Sequence, residues 1–173
     1  MPFNEQTKTS KTLYEGKILT LKKDEVLLDN GNTAFREVVH HSGGSTVLCE
    51  KDGKILFVRQ FRYPYKKEIL ELPAGKLNVG ETPKETAIRE LKEEAGVVAK
   101  DLELLFECYP SPGYTDEIIY IYKANEFTLD EACLDEDEFL SAIWIEKSKV
   151  KEMIKNQEIK DGKTLIALLT IIK

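Results

Sequence analysis

Polar and apolar residues alternate along residues 12–22 (TLYEGKILTLK) and 24–29 (DEVLLD), and this period of two predicts two short strands. The turn Asp29-Asn30-Gly31-Asn32 then sends the chain back through a strand from Thr33 to His41, since Asn-Gly is a favoured hairpin pair. Ser45–Glu50 and Ile55–Gln60 read as a second hairpin closed by Lys51-Asp52-Gly53-Lys54, with Ile69–Pro73 as a further extended piece. From Pro83 the period changes to that of a helix. Thr82 and Glu85 form a capping box, Pro83 stands at the first helical position, and Gly96 is placed for a left-handed C-terminal cap. Ile88, Leu91 and Ala95 make its apolar stripe, which is expected to pack on a sheet. Strands follow at Leu102–Tyr109, Ile118–Asn125 and Phe139–Glu146. A helix capped by Ser148 follows near Lys149–Asn156, and a last one runs from Lys163 to Ile172 with Leu165, Leu168, Leu169 and Ile172 as its stripe. Strands around one long central helix, with helices at the end, predict an α/β fold with a mixed sheet between helices.

At 173 residues the chain suits one main domain, residues 43–173, with an N-terminal β region, residues 1–42. That meander is too small to be stable alone, so it is expected to pack on the main domain or on a second copy. A composition 42% hydrophobic and 32% charged supports a core and a soluble surface. The longest apolar run, Thr164 to Ile172, is far short of a membrane span, and MPFNEQTKTSKT has no apolar signal-peptide core. Three cysteines (Cys49, Cys108 and Cys133) have neither metal-type spacing nor an even count, and are read as small buried hydrophobes. Together these features point to the cytoplasm and to no membrane partner. A net charge of −6 without a basic stripe disfavours nucleic acid, so any phosphate-bearing ligand must be met by metal ions and a few local arginines.

The chemistry centres on Gly75 to Val97. Glu90, Glu93 and Glu94 stand at i, i+3 and i+4, on one helical face, where like charges repel by a few tenths of a kcal/mol per pair. A solvated charged face is the ordinary explanation for such a helix. A helix needing only stability would interleave lysines, however, and a hard divalent cation would relieve the repulsion. The complete spacing, G-x5-E-x7-R-E-U-x-E-E-x-G-U with U aliphatic, is met at Gly75, Glu81, Arg89, Glu90, Leu91, Glu93, Glu94, Gly96 and Val97. This pattern resembles the signature of the Nudix hydrolases, which cleave nucleoside diphosphates linked to another moiety using Mg²⁺ or Mn²⁺.

The resemblance extends from about residue 13 onward. It implies an α/β/α Nudix sandwich behind the small N-terminal meander. Ser111-Pro112-Gly113, with Pro112 fifteen residues beyond Val97, is similar to the loop of family members that act on ADP-ribose; an ordinary Pro-Gly turn is the alternative. Glu71-Leu72-Pro73-Ala74-Gly75 resembles the same subfamily, in which the alanine carbonyl is a metal ligand. Arg36 and Arg62, in Arg36-Glu37 and Gln60-Phe61-Arg62, match positions where that subfamily places arginines on the substrate. Surface ion pairs are their ordinary alternative. The aromatics Phe35, Phe61, Tyr63 and Tyr65 are read either as adenine-stacking groups or as packing in the sheet.

The implied reaction is hydrolysis of the pyrophosphate of ADP-ribose to AMP and ribose 5-phosphate. Ala74, Glu90 and Glu94 would hold one Mg²⁺ and Glu93 with Glu94 a second, two or three ions in all, with Mn²⁺ as the alternative metal. Arg89 would orient the glutamates, and Glu81 would be a metal ligand or a cap for the loop. The general base would be Glu93 of the box, or Glu136 or Glu138 from the distant acidic run Asp135-Glu136-Asp137-Glu138. Pro112, Gly113 and Phe61 would line the substrate. A homodimer exchanging its N-terminal strands is also implied. Hydrolysis of another nucleotide sugar such as GDP-mannose is the competing reading. A non-catalytic sensor of ADP-ribose or NAD metabolites is the weaker one, because no box glutamate is lost.

Overall fold

The computed structural model describes residues 3–134 and 139–172. The chain divides into two compact units, one formed by the N-terminal strands as far as Gly43 together with Tyr109–Ile118, the other by Gly44–Cys108 and Ile119 onward. In the first unit, β1 (Gln6–Glu15), β2 (Leu19–Leu27) and β3 (Thr33–His41) form an antiparallel sheet in that order. The break between β1 and β2 falls at residues 16–18, inside what the alternation predicted as one strand. The Gly16 N–H closes the turn on the Leu19 carbonyl at 3.0 Å. The whole of β1 is exposed, so it lacks the buried face whose period would mark its limits.

In the second unit, β4 (Gly44–Lys51), β5 (Lys54–Arg62), β6 (Lys67–Glu71), β7 (Ala74–Lys76), β8 (Val97–Cys108), β9 (Ile119–Leu129) and β10 (Leu140–Glu146) form one mixed sheet. Its main path is β10-β5-β4-β9-β8, with β6 on β5 and β7 on β4. The pair β4–β9 is parallel and the rest are antiparallel. The β4–β5 turn has Asp52 at φ 50° and Gly53 at φ 73°, the left-handed pair that a two-residue hairpin requires.

Helices cover both faces. Val47, Cys49 and Leu56 pack with Ala87 and Leu91 of α1 (Pro83–Ala95), while Leu48, Ile55 and Phe57 pack with Val150 of α2 (Lys147–Lys155) and Ala167 and Leu168 of α3 (Gly162–Leu169). This is why Val47-Leu48-Cys49 is buried at every position instead of alternating. The unit is therefore the expected α/β/α sandwich.

Several boundaries differ from the sequence reading. Strand β8 starts at Val97, because the left-handed Gly96 (φ 61°) turns α1 straight into it. Helix α2 begins before Ser148, so Ser148 is not its cap; the Lys147 N–H is anchored on the Gly53 carbonyl at 2.9 Å. Asp161 caps α3, which ends at Leu169, and Leu169 is exposed where a core stripe was expected. Cys49 is buried, its thiol pushed up to about 12 by burial, but Cys133 is exposed and does not behave as a core hydrophobe. Among the described residues no helix is long and apolar enough to cross a membrane.

Candidate active site

Helix α1 is fixed at both ends by its own sequence. Thr82 Oγ1 accepts the Glu85 N–H and Glu85 Oε2 accepts the Thr82 N–H at 2.8 Å, completing the capping box. At the other end the Gly96 N–H reaches the Lys92 carbonyl at 2.9 Å. The helix is not simply apolar on one side and acidic on the other. Glu90 and Glu94 are themselves buried, at 8% and 3% exposure, and only Glu93 of the three stands substantially open.

Arg89 organises these carboxylates. Its Nε and Nη2 grip Glu81 at 2.7 and 3.0 Å, while Nη1 donates to Glu90 at 2.7 Å and to Glu93 at 2.9 Å. Glu81 also accepts the Asn78 N–H and the Thr86 hydroxyl, tying the loop before α1 to the helix. The Arg89 bonds hold the Glu81 carboxyl down at about 2, and the same bonds, led by that to Glu81, raise the Arg89 guanidinium. Glu94 Oε2 accepts the Ala74 N–H at 2.8 Å, so Ala74 and the helix meet directly. Gly75 lies over Glu90 so closely that a Cβ there would stand 1.8 Å from Glu90 Oε1. Backbone and carboxylate occupy a cradle that any larger residue would fill.

Four carboxylates and one guanidinium leave this cluster formally negative. Buried negative charge is expensive unless matched, and hard carboxylate oxygens are the donors that Mg²⁺ and Mn²⁺ select. A divalent cation fits Glu90, Glu93 and Glu94 on these grounds. Among the described residues no three His, Cys, Asp or Glu side chains are grouped as metal ligands, and Glu90 and Glu93 are instead bonded by Arg89.

The segment leading into the cradle is held from several directions. The Leu72 N–H donates to Thr164 Oγ1 of α3 (2.9 Å), the Pro73 carbonyl accepts from Val47 N and Thr46 Oγ1 (both 3.0 Å), and Ala74 is tied to Glu94. Just before it, the buried Glu71 accepts Arg62 Nε and Nη2 at 2.6 and 2.9 Å and Lys163 Nζ at 2.5 Å. Burial alone would raise the Glu71 carboxyl, but the bonds from Arg62 and Lys163 outweigh it and the net shift is downward. Arg62 is thus engaged in an ion pair at the wall of a cleft of about 670 Å³, to which Tyr65, Ile69, Met153 and Lys163 also contribute. Phe61, Tyr63 and Tyr65 are all more than half exposed, which removes packing in the sheet as their explanation.

The remaining sequence candidates belong to the other unit. Arg36 Nε and Nη2 bond the Glu5 carboxylate at 2.9 and 2.5 Å and its Nη1 reaches the Phe35 carbonyl, while Phe35 is exposed beneath Lys23. Pro112 and Gly113 are exposed at the tip of the Tyr109–Ile118 loop. That loop is strapped to β3: Val39 exchanges backbone bonds with Tyr114 and Asp116, and the Asp116 carboxylate takes His40 Nδ1 (2.5 Å) and the His41 N–H (3.0 Å). Glu136 and Glu138 lie outside the described residues.

Sequence reading passed over Glu71, Lys163, Thr164 and Asp116. Lys163 and Thr164 meet Glu71 and Leu72 across 92 residues of chain, a pairing that no local pattern encodes. For Asp116 the Pro-Gly loop itself was the signal, but not the partner strand.

Comparison with known proteins matches residues 39–168 to the NUDIX domain and residues 5–39 to the nucleoside diphosphate sugar hydrolase N-terminal domain. A Bacillus methanolicus protein named methanol dehydrogenase activator is 41% identical, over 96% of this chain and 91% of its own. A Bacillus subtilis (strain 168) protein named ADP-ribose pyrophosphatase is 40% identical, over 95% and 90%. A crystal structure titled ADP compounds hydrolase shares the fold with a TM-score of 0.84 at 20% identity, over 96% of this chain and 91% of that one. With the family match covering most of the chain and relatives at this identity along nearly all of it, the chain belongs to the Nudix hydrolase family.

Proposed function

We propose that this protein hydrolyses the pyrophosphate bond of ADP-ribose, releasing AMP and ribose 5-phosphate. The observation that carries the reading is the buried carboxylate pair Glu90 and Glu94, fixed under Gly75 and against Ala74, in a chain 40% identical to an ADP-ribose pyrophosphatase. Nudix hydrolases generally use divalent metal ions. Here Glu90, Glu94 and the Ala74 carbonyl would hold one Mg²⁺, and Glu93 with Glu94 a second, within a complement of two or three. Bound there, the metal supplies Lewis acidity to the pyrophosphate oxygens and acidifies water.

The chain's own side chains do the rest. Arg89 bonds Glu90 and Glu93 and keeps them aimed, and Glu81 keeps Arg89 in place. Arg62 meets the anionic or ribose edge of the substrate through its fork, with Phe61 beside it on β5. The proton of the attacking water passes to Glu93, or to Glu136 or Glu138 of the acidic run, whose negative charge is compatible with an anionic substrate only with metal present.

The same reading has the protein act in the cytoplasm, as a homodimer formed through residues 1–42. A ten-residue strand exposed along its whole length, carrying Leu13 and Tyr14 open to solvent, supports the pairing. The test of substrate is a panel of ADP-ribose, GDP-mannose and other nucleotide sugars assayed for nucleoside monophosphate release with Mg²⁺. A kcat/KM for ADP-ribose at least tenfold above the others supports the reading; equal or greater turnover of GDP-mannose overturns it.

A further inference from the structure

Glu71 is 3% exposed and carries two cations, Arg62 from β5 and Lys163 from α3. Its Oε2 is shared between Arg62 Nη2 and Lys163 Nζ, and Lys163 is steadied in turn by Asp161 Oδ2 at 3.0 Å. The two cations are not equivalent. The Lys163 side chain is 11% exposed, whereas that of Arg62 is 39% exposed and faces the cleft with Nη1 outside the Glu71 pair.

An anion arriving at Arg62 must compete with Glu71 for the guanidinium. Stripping the only cation from a buried carboxylate is strongly unfavourable, whereas a carboxylate that keeps a second, buried partner can release the first at much lower cost. We propose, on the reading that Arg62 meets the ADP-ribose substrate, that Lys163 is a positioning residue: it holds Glu71 from behind so that Arg62 can turn from Glu71 to the substrate. Nearly a hundred residues separate Lys163 from the β5–β6 pair it serves. Thr164 next to it binds the Leu72 N–H, so the start of α3 sets both the Arg62 partner and the backbone that follows.

The test is steady-state kinetics on ADP-ribose with Mg²⁺, with thermal unfolding of each variant measured alongside. Lys163→Met should raise KM about tenfold while changing kcat by less than threefold, because Arg62 is then the one cation left bonded to Glu71 among the described residues. Lys163→Arg should restore KM to within about threefold of the parent. Glu71→Gln should give a KM no higher than the parent, and the double variant Lys163→Met/Glu71→Gln should lose the KM defect, since no buried charge then holds Arg62. A merely structural Lys163 predicts the opposite split: a lower Tm and kcat, an unchanged KM and no rescue by Glu71→Gln. That result, or a tenfold higher KM in Glu71→Gln alone, overturns the proposal, and the Glu71→Gln arm stands even where Lys163→Met does not fold. Parent protein that neither turns over nor binds ADP-ribose overturns the substrate reading and this proposal together; parent turnover with an unmoved Lys163→Met KM overturns the positioning role alone.

Discussion

Gly75→Ala isolates the cradle from every other feature of the site. A Cβ at this position would sit 1.8 Å from Glu90 Oε1, 1.9 Å from its Cδ and 2.5 Å from Oε2. To reach ordinary van der Waals separation the carboxylate would have to retreat by roughly 1.5 Å. It has little room to do so, because Glu90 is buried and Arg89 Nη1 holds it at 2.7 Å. Overpacking of this kind costs about 1–3 kcal/mol of stability. The functional cost is larger, since a misplacement of about 1 Å at a reacting centre lowers the rate roughly 100-fold, about 2.7 kcal/mol of barrier. The assay is kcat for AMP release from ADP-ribose at saturating Mg²⁺, with urea unfolding as the control. A variant that folds with a stability loss under about 3 kcal/mol and a kcat down by about 100-fold is expected. A kcat within threefold of the parent would refute the claim that Glu90 acts from beneath Gly75.

Replacing Arg89 by Met keeps its length but takes the guanidinium away from the buried Glu90, and should cost about 3 kcal/mol in urea unfolding, with Arg89→Lys recovering only part because it lacks the fork. A loss below about 1 kcal/mol would contradict the hub assignment. The Glu81 carboxyl is depressed, from 4.5 to about 2, so its contribution to stability is present above about 4.5 and disappears as pH falls toward 2. Glu81→Gln should therefore flatten the acid limb of a stability–pH profile in that window and leave its slope near neutrality unchanged. Thr82→Ala removes one half of the capping box and should lower stability by about 1 kcal/mol, measured by chemical unfolding, with kcat/KM little changed.

What the sequence disclosed depended on how local the cause was. The helix Pro83–Ala95 was legible to the residue because its proline, capping box and glycine act within one turn of where they stand. The β4–β5 hairpin was legible for the same reason, through Asp52-Gly53. The two faces of the sheet were not separable, because Val47, Leu48 and Cys49 are buried on both sides and leave no alternation to read. At the site, the box pattern marked the acidic residues but could not tell that Glu90 and Glu94 are buried, which depends on the β4–β7 edge folding over them. The Glu71, Lys163 and Thr164 contacts are products of tertiary packing between the β6–β7 region and α3, and their sequence signature is nil.

Turnover of ADP-ribose by Glu90→Gln and Glu94→Gln tests the central claim most directly, each assayed beside the parent with Mg²⁺ and with chelator. If the buried face of α1 is the metal platform for pyrophosphate hydrolysis, both variants fall by at least 100-fold in kcat and the parent is silent in chelator. Near-parental rates in both variants would contradict it.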